Sequence, residues 1–504
     1  MDEFPQLAVD RSRAQSLADQ LTAALRESIL TGEMRSGDEL PASRTLAKTL
    51  GLSRSVVVSA YERLVGEGYL ESRQGAGTRV VGEIPDWGLE RIDTAGPARE
   101  ETDGSHVDAP MLRRGGKPRA NSIPDPVPHD AEPSSAPINL LPGRPFTPPL
   151  PPREWVRALS RAARAPWRSD APDPRGEYPL RRALAAHARR SRGIDCDPDD
   201  VYVTTGTSEA LLVIALALRE LHGTDATVAV EDPGYREGTQ ALSRGGARVI
   251  PLDVGHDGAT AATVRVLARR QPLTALMLTP SHQFPLGGRI PAAERHALVA
   301  WASEAGAVII EDDYDSEFRH EGAVLPAMAS LDRAGRIVHV TTLNKILSPS
   351  IRCGAIVLGS GVEGRELRAA VEAVRADLGS TVPLMTQSAL AEFLDGGGFR
   401  REIGRTRREY RHRRELLLAE CLAQGLEVSG DAGGLHVRIA LPTDVSGDEI
   451  VIALANRGVL VDRVEAYRIA ESALGRDGIL VSYGAETVPR LIRGIYEIAD
   501  VIRG

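Results

Sequence analysis

The chain has 504 residues, 42% hydrophobic and 26% charged, with a formal net charge of −8. That length allows two to four domains around a large core, and the acidic total excludes a wholly basic nucleic-acid protein. Cys196, Cys353 and Cys421 make neither a disulfide framework nor a metal spacing, Met1-Asp2-Glu3-Phe4 opens no signal peptide, and no apolar run is long enough for a membrane span, so a reducing cytoplasm is expected.

Three regions separate by composition. Residues 12–82 are helix-patterned, residues 83–137 are rich in Pro, Gly, Asp, Ser and Arg without apolar periodicity, and residues 138–504 alternate apolar strands with amphipathic helices. The first is expected to be a compact domain. The second reads as an exposed linker, since Ile123-Pro124-Asp125-Pro126-Val127-Pro128 suits neither a helix nor an interior strand. The third reads as an α/β domain.

In the first region, Leu17 to Thr31 has helical spacing and stops at Gly32. Ser43 is expected to cap a second helix, Arg44 to Leu50, and Ser53 a third, Arg54 to Glu67. Two short strands follow, Tyr69–Arg73 and Thr78–Val81, around the turn Gln74-Gly75-Ala76-Gly77. That order is a winged helix-turn-helix. Arg54, Ser55 and Val58 would reach base edges from the third helix, while Arg44, Arg73 and Thr78 would meet phosphate. Singly, each Arg is an ordinary solvated charge. From Leu40 to Val80, however, six basic residues face three acidic ones, a local excess of +3 despite the acidic total.

In the third region, the strand Val201–Thr205 runs into Gly206-Thr207-Ser208-Glu209 at a helix start, where free N–H groups and the helix dipole suit an anion. Alone, this is an ordinary strand-to-helix turn. Val228–Asp232 presents Tyr235, which would stack on a flat ring. Leu276–Thr279 leads to His282 and Gln283 at the carboxyl end of a strand, where open α/β sheets bind ligands. Val308-Ile309-Ile310-Glu311-Asp312-Asp313-Tyr314-Asp315 ends an apolar strand in carboxylates that need a partner. A protonated pyridine nitrogen is one such partner. Metal is the rival, but no His or Cys joins the acids in sequence, and no metal site is expected.

The run Thr341-Thr342-Leu343-Asn344-Lys345-Ile346-Leu347-Ser348-Pro349-Ser350-Ile351-Arg352 completes the set. It offers an amine for a Schiff base, with a hydroxyl and a guanidinium for a phosphate, as a covalently held pyridoxal phosphate requires. Burial beside a cationic ring and Arg352 would lower the Lys345 pKa.

Two resemblances follow. Leu40-Pro41-Ala42-Ser43-Arg44-Thr45-Leu46-Ala47, Leu52-Ser53-Arg54-Ser55-Val56-Val57, Tyr61-Glu62-Arg63-Leu64 and Glu67-Gly68-Tyr69-Leu70 resemble the GntR-type DNA-binding domain, with Ala76 where a serine is usual. The later elements, including Gly433-Gly434-Leu435-His436-Val437, resemble fold-type I aminotransferases, a mixed sheet flanked by helices. Joined, they look like the MocR-type (GabR-like) branch of GntR regulators. The resemblance implies that Lys345 carries the internal aldimine, that Asp312 pairs with the pyridine nitrogen and Tyr314 with the phenolic oxygen, that Thr342, Arg352, Thr207 and Ser208 hold the phosphate, and that Tyr235 covers the ring. His282 is counted among the cofactor-binding groups.

The chain departs from this pattern in three places. Asn344 stands where a serine is usual, and Phe284 where aminotransferases carry an asparagine. The last strand, Gly478–Gly484, lacks the arginine that takes a substrate carboxylate, with Arg476 just outside it. Efficient transamination is therefore not expected. The reading is a cytoplasmic, dimeric, DNA-binding regulator that senses an amino compound, or pyridoxal phosphate itself, at Lys345, with domain swapping across the linker. The alternatives are a working aminotransferase with a tethering head, and a DNA-binding protein whose second domain has lost the cofactor and only dimerises.

Overall fold

The computed structural model describes residues 9–10, 17–31, 33–35, 37–67, 69–73, 77–80, 136–147, 151–320, 326–430, 433–442, 445–470 and 477–504. The expected linker, but for its last two positions, lies outside the described residues, as do Gly32, Ala76 and Arg476.

The head comprises α1 (Leu17–Leu30), β1 (Glu39–Leu40), α2 (Ser43–Thr49), α3 (Arg54–Glu67), β2 (Leu70–Arg73) and β3 (Gly77–Val80). Leu21, Leu25 and Ile29 of α1 meet Leu46 of α2 and Val57 and Leu64 of α3 in one buried core. Strand β3 lies between β1 and β2, antiparallel to both. Two residues carry no periodicity, so β1 is invisible to pattern reading. Ser43 does not cap α2: the cap position is Ala42, without a side-chain bond, and Ser43 Oγ instead accepts the Arg54 Nε–H at 3.4 Å. The guanidinium takes the hydroxyl that the helix end was expected to use.

The larger domain opens with β4 (Ile138–Asn139), α4 (Arg153–Ala163) and α5 (Tyr178–Arg192). Then follow β5 (Val201–Thr204), α6 (Thr207–His222), β6 (Thr227–Asp232), α7 (Arg236–Arg244), β7 (Arg248–Asp253), α8 (Ala261–Arg270), β8 (Ala275–Leu278), α9 (Ala292–Ala305), β9 (Val308–Asp313), β10 (Ile337–Thr342) and β11 (Gly354–Leu358). Among the described residues these strands form a seven-stranded sheet in the order β5-β11-β10-β9-β8-β6-β7. It is parallel except at β11, which runs antiparallel to β10 and β5. Strands β6, β8 and β9 are buried throughout, as strands covered on both faces must be.

Three helices, α10 (Arg365–Leu378), α11 (Leu384–Asp395) and α12 (Gly398–Ala423), lead to a smaller lobe. It holds β12 (Val428–Ser429), β13 (His436–Ala440), α13 (Gly447–Asn456), β14 (Val459–Leu460), β15 (Asp462–Arg463), β16 (Gly478–Ser482) and α14 (Val488–Arg503). Strand β4 pairs in parallel with β14, so the residues directly after the expected linker belong to this lobe. Among the described residues no helix is long and apolar enough to cross a membrane.

The head touches the larger domain at α9. Tyr69 Oη is hydrogen-bonded to His296 Nε2, and Ala292 packs against the head's core. Burial, with Arg26 and Arg295 nearby, pushes the His296 pKa down to about 4.

Candidate functional site

A cavity of about 290 Å³ opens at the carboxyl ends of β6, β8, β9 and β10, where a parallel sheet leaves room for a ligand. Thr207, Ser208, Tyr235, Asp312, Tyr314, Thr342, Lys345 and Arg352 all line it. These eight come from segments spread over nearly 150 residues of sequence, and the sheet brings them together.

Lys345 follows β10, on the connection to β11. Its Nζ donates to the Gly143 carbonyl at 2.5 Å, and burial lowers its pKa against the pull of Asp315, Asp312 and Glu237. A less basic amine is a better nucleophile near neutral pH.

The acidic end of β9 sorts its side chains by the two-residue alternation of a strand. Glu311 Oε2 lies 3.1 Å from His339 Nδ1 and accepts the Ala329 N–H at 3.0 Å, while Asp313 pairs with Arg192 at 2.6 Å. Asp312 points the other way, into the cavity, and its Oδ1 is buried with no hydrogen-bond partner. Burial, with Asp313 and Asp315 adding, pushes its pKa up to about 8 against the opposing Lys345. No histidine neighbours these acids in sequence, but β10 supplies His339 in register with Glu311. Even so, no group of three or more His, Cys, Asp or Glu suited to a metal occurs among the described residues.

At the other side, α6 starts at Thr207 behind Gly206, whose φ is 135°. A Cβ on Gly206 would come within 2.9 Å of Asn344 Nδ2, so glycine is required on both counts. The first N–H groups of α6 have no partner within the helix, an arrangement that suits an anion. Glu209 turns back from that site. It accepts from Thr205 N and Oγ1 and pairs with the fully buried Arg375 at 2.7 Å. Arg352 sits in the left-handed region at φ 50°, a conformation few non-glycine residues adopt, with its side chain exposed at the cavity.

Some placements differ from expectation. His282 does not line the cavity. It is buried behind Tyr314, with Nδ1 2.9 Å from the Tyr314 hydroxyl and 2.8 Å from Asp315 Oδ2. Tyr314 lines the cavity in its place. Asn344 is structural as well as adjacent to Lys345: its Oδ1 accepts the Cys353 N–H at 3.0 Å. Glu231, absent from the sequence reading, accepts from Thr279 N at 3.0 Å and Thr279 Oγ1 at 2.5 Å, and burial pushes it up to about 7. Its place just before Asp232-Pro233 was the only signal that could have found it.

On the head, Arg44, Arg54 and Ser55 are exposed, and Thr78 is half-buried on β3. Val58 is half-buried in α3. The Arg73 side chain lies outside the described residues, although its backbone belongs to β2.

Residues 138–493 match the family model for aminotransferase class I and II, and residues 17–80 that of bacterial regulatory proteins of the gntR family. Among curated relatives, the chain is 34% identical to the HTH-type pyridoxine biosynthesis transcriptional regulator PdxR of Corynebacterium glutamicum, over 98% of each chain. It is 33% identical to the probable rhizopine catabolism regulatory protein MocR of Rhizobium meliloti, over 88% of this chain and 85% of that one. Among solved structures, an archaeal alanine:glyoxylate aminotransferase superposes with a TM-score of 0.66 at 23% identity, covering 73% of this chain and 91% of that one. The alpha-aminoadipate aminotransferase of Thermus thermophilus, complexed with a phosphopyridoxyl-leucine, gives 0.64 at 24% identity, covering 74% and 93%. These structures share the fold of the larger domain.

Proposed function

Because this chain belongs to the aminotransferase class I and II family and to the MocR-type branch of gntR-family regulators, we propose that it is a cytoplasmic transcriptional regulator whose larger domain binds pyridoxal phosphate and through it senses a primary amine. The observation that carries this is the orphaned Asp312 Oδ1, facing the same cavity as Lys345, Arg352 and the start of α6. A buried carboxylate without a partner is costly, and a pyridinium N–H supplies the missing donor.

The residues fit the group. Asp312 holds the pyridine nitrogen and keeps its proton on. Tyr314, itself held by His282 and Asp315, faces the phenolic oxygen. The N–H groups of Thr207 and Ser208, with Thr342 and Arg352, take the phosphate, and Tyr235 lies against the ring. Lys345 supplies the amine, and burial lowers its pKa. When bound, the cofactor supplies a carbonyl carbon that condenses reversibly with amines. On the head, Arg54 and Ser55 read bases while Arg44, Arg73 and Thr78 meet phosphates of an operator. Two heads, one from each subunit of a homodimer, add their modest patches by effective concentration. The ligand acts by binding one arrangement of the dimer better than another.

The test is the visible absorption spectrum of the full-length protein after incubation with pyridoxal phosphate and desalting, beside Lys345→Ala. A yellow band in the parent that is lost in the variant supports the reading. The absence of a band in both overturns it and leaves a dimerising domain attached to a DNA-binding head.

A further inference from the structure

Beyond the groups suited to ring and phosphate, the same cavity is lined by Phe284, His436, Tyr467 and Glu237. Phe284 stands where aminotransferases carry an asparagine, and other rings pack edge-on around it. Tyr467 stands 5.0 Å away at 86°, His436 5.4 Å away at 70°, and Tyr235 6.3 Å away at 88°, centroid to centroid. His436 belongs to this wall as a neutral ring: its Nε2 is 3.1 Å from the Pro285 carbonyl, to which it donates. Burial and the neighbouring His282 push its pKa down to about 4.

Glu237, in the first turn of α7, is the only carboxylate besides Asp312 among the described lining residues. It is exposed and makes no hydrogen bond or ion pair among the described residues. Its field reaches Lys345, Tyr235 and Tyr467. Arg352 is the only arginine of the described lining, and β16 carries the fully buried Leu480. With a phosphate on Arg352, the charge left for the outer end of a ligand is negative, beside aromatic rings.

We propose that the sensed amine carries a second, cationic group and no carboxylate, as a short diamine does, and that Glu237 with the Phe284–Tyr467 wall receives that second group. The inference rests on the function proposed above and concerns the part of the ligand that points away from Lys345. An ammonium there would pair with Glu237 and lie against ring faces. A carboxylate there would meet Glu237 as a like charge and give up its water without a cation to replace it.

The test uses full-length protein loaded with pyridoxal phosphate and desalted, titrated separately with putrescine, butylamine, alanine and β-alanine. The visible band and the thermal midpoint are both followed. Putrescine should act at roughly threefold to tenfold lower concentration than butylamine, and both amino acids should need more than either. In Glu237→Gln, putrescine should fall to the butylamine value. If alanine or β-alanine acts at lower concentration than putrescine, or putrescine and butylamine are equal in the parent, the inference is overturned while the cofactor site stands. The absence of any band on loading overturns both. Should the variant fail to fold, the order of the four ligands on the parent decides.

Discussion

Asn344 Oδ1 accepts the Cys353 N–H at 3.0 Å, and this bond ties together the two ends of the loop that carries Lys345 and Arg352. The neighbouring backbone bond from Leu343 N–H to the Cys353 carbonyl, at 2.9 Å, extends the β10–β11 ladder beneath it. Asn344→Ala should leave a buried N–H unpaired and lower stability by about 1–3 kcal/mol. Asn344→Asp keeps the acceptor and should lose less. Thermal melting of the two variants checks the order; equal losses would mean that the Oδ1 bond is not what the residue contributes.

Asp312 makes the protein without cofactor sensitive to pH in an unusual direction. Its folded pKa, about 8, lies above its ordinary 3.8, so the folded state binds more protons between those values and stability falls as pH rises through that window. Asp312→Asn removes the slope. Without cofactor, the variant should melt higher than the parent at pH near 8, with the gap closing toward pH 4. With pyridoxal phosphate, the parent should gain the more in melting temperature. A variant that melts lower than the parent at every pH would refute this account.

The contact between Tyr69 and His296 should weaken in acid. His296 is depressed from 6.5 to about 4 in place, so the separated state binds the extra proton in between. Docking is therefore complete above the ordinary value and is lost as pH falls through that window. Fluorescence energy transfer between dyes on the head and on the larger domain should drop between pH 6.5 and 4. Tyr69→Phe should show a weaker contact even at neutral pH, and an unchanged signal across the window would argue against this docking.

On DNA, Arg54→Ala should cost about 1–3 kcal/mol of specific binding and relax the preference at one position. Arg44→Ala should weaken all sequences alike and reduce the salt dependence by roughly one counterion. Fluorescence anisotropy on operator and scrambled duplexes at several salt concentrations separates the two. If Arg54→Ala changes neither affinity nor preference, α3 does not present that arginine to bases.

Local pattern made much of this legible. The bounds of α3 and β9 follow from apolar spacing and flanking punctuation, and the eight cavity residues were visible as polar groups at strand ends, at a helix start or on the connections that follow strands. What pattern could not give were relations between distant segments. Gly206 and Asn344 restrict one another across well over a hundred residues. Phe284 looked like a departure from a motif, and only the fold shows the rings gathered around it. The row of acids on β9 read as one feature, yet alternation and the positions of Arg192 and His339 leave Asp312 alone facing the cavity. Ser43 is not a cap because the helix starts one residue earlier than its pattern suggests, with Ala42 at the cap position.

The path of the chain gives one more consequence. Strand β4 begins where the expected linker ends, and only a few residues later the Gly143 carbonyl accepts the hydrogen bond of Lys345 Nζ. The point where the chain enters the larger domain is thus anchored close to the Lys345 amine. A group bonded to that nitrogen would compete with the Gly143 carbonyl for it, only a few residues from where the chain enters the larger domain.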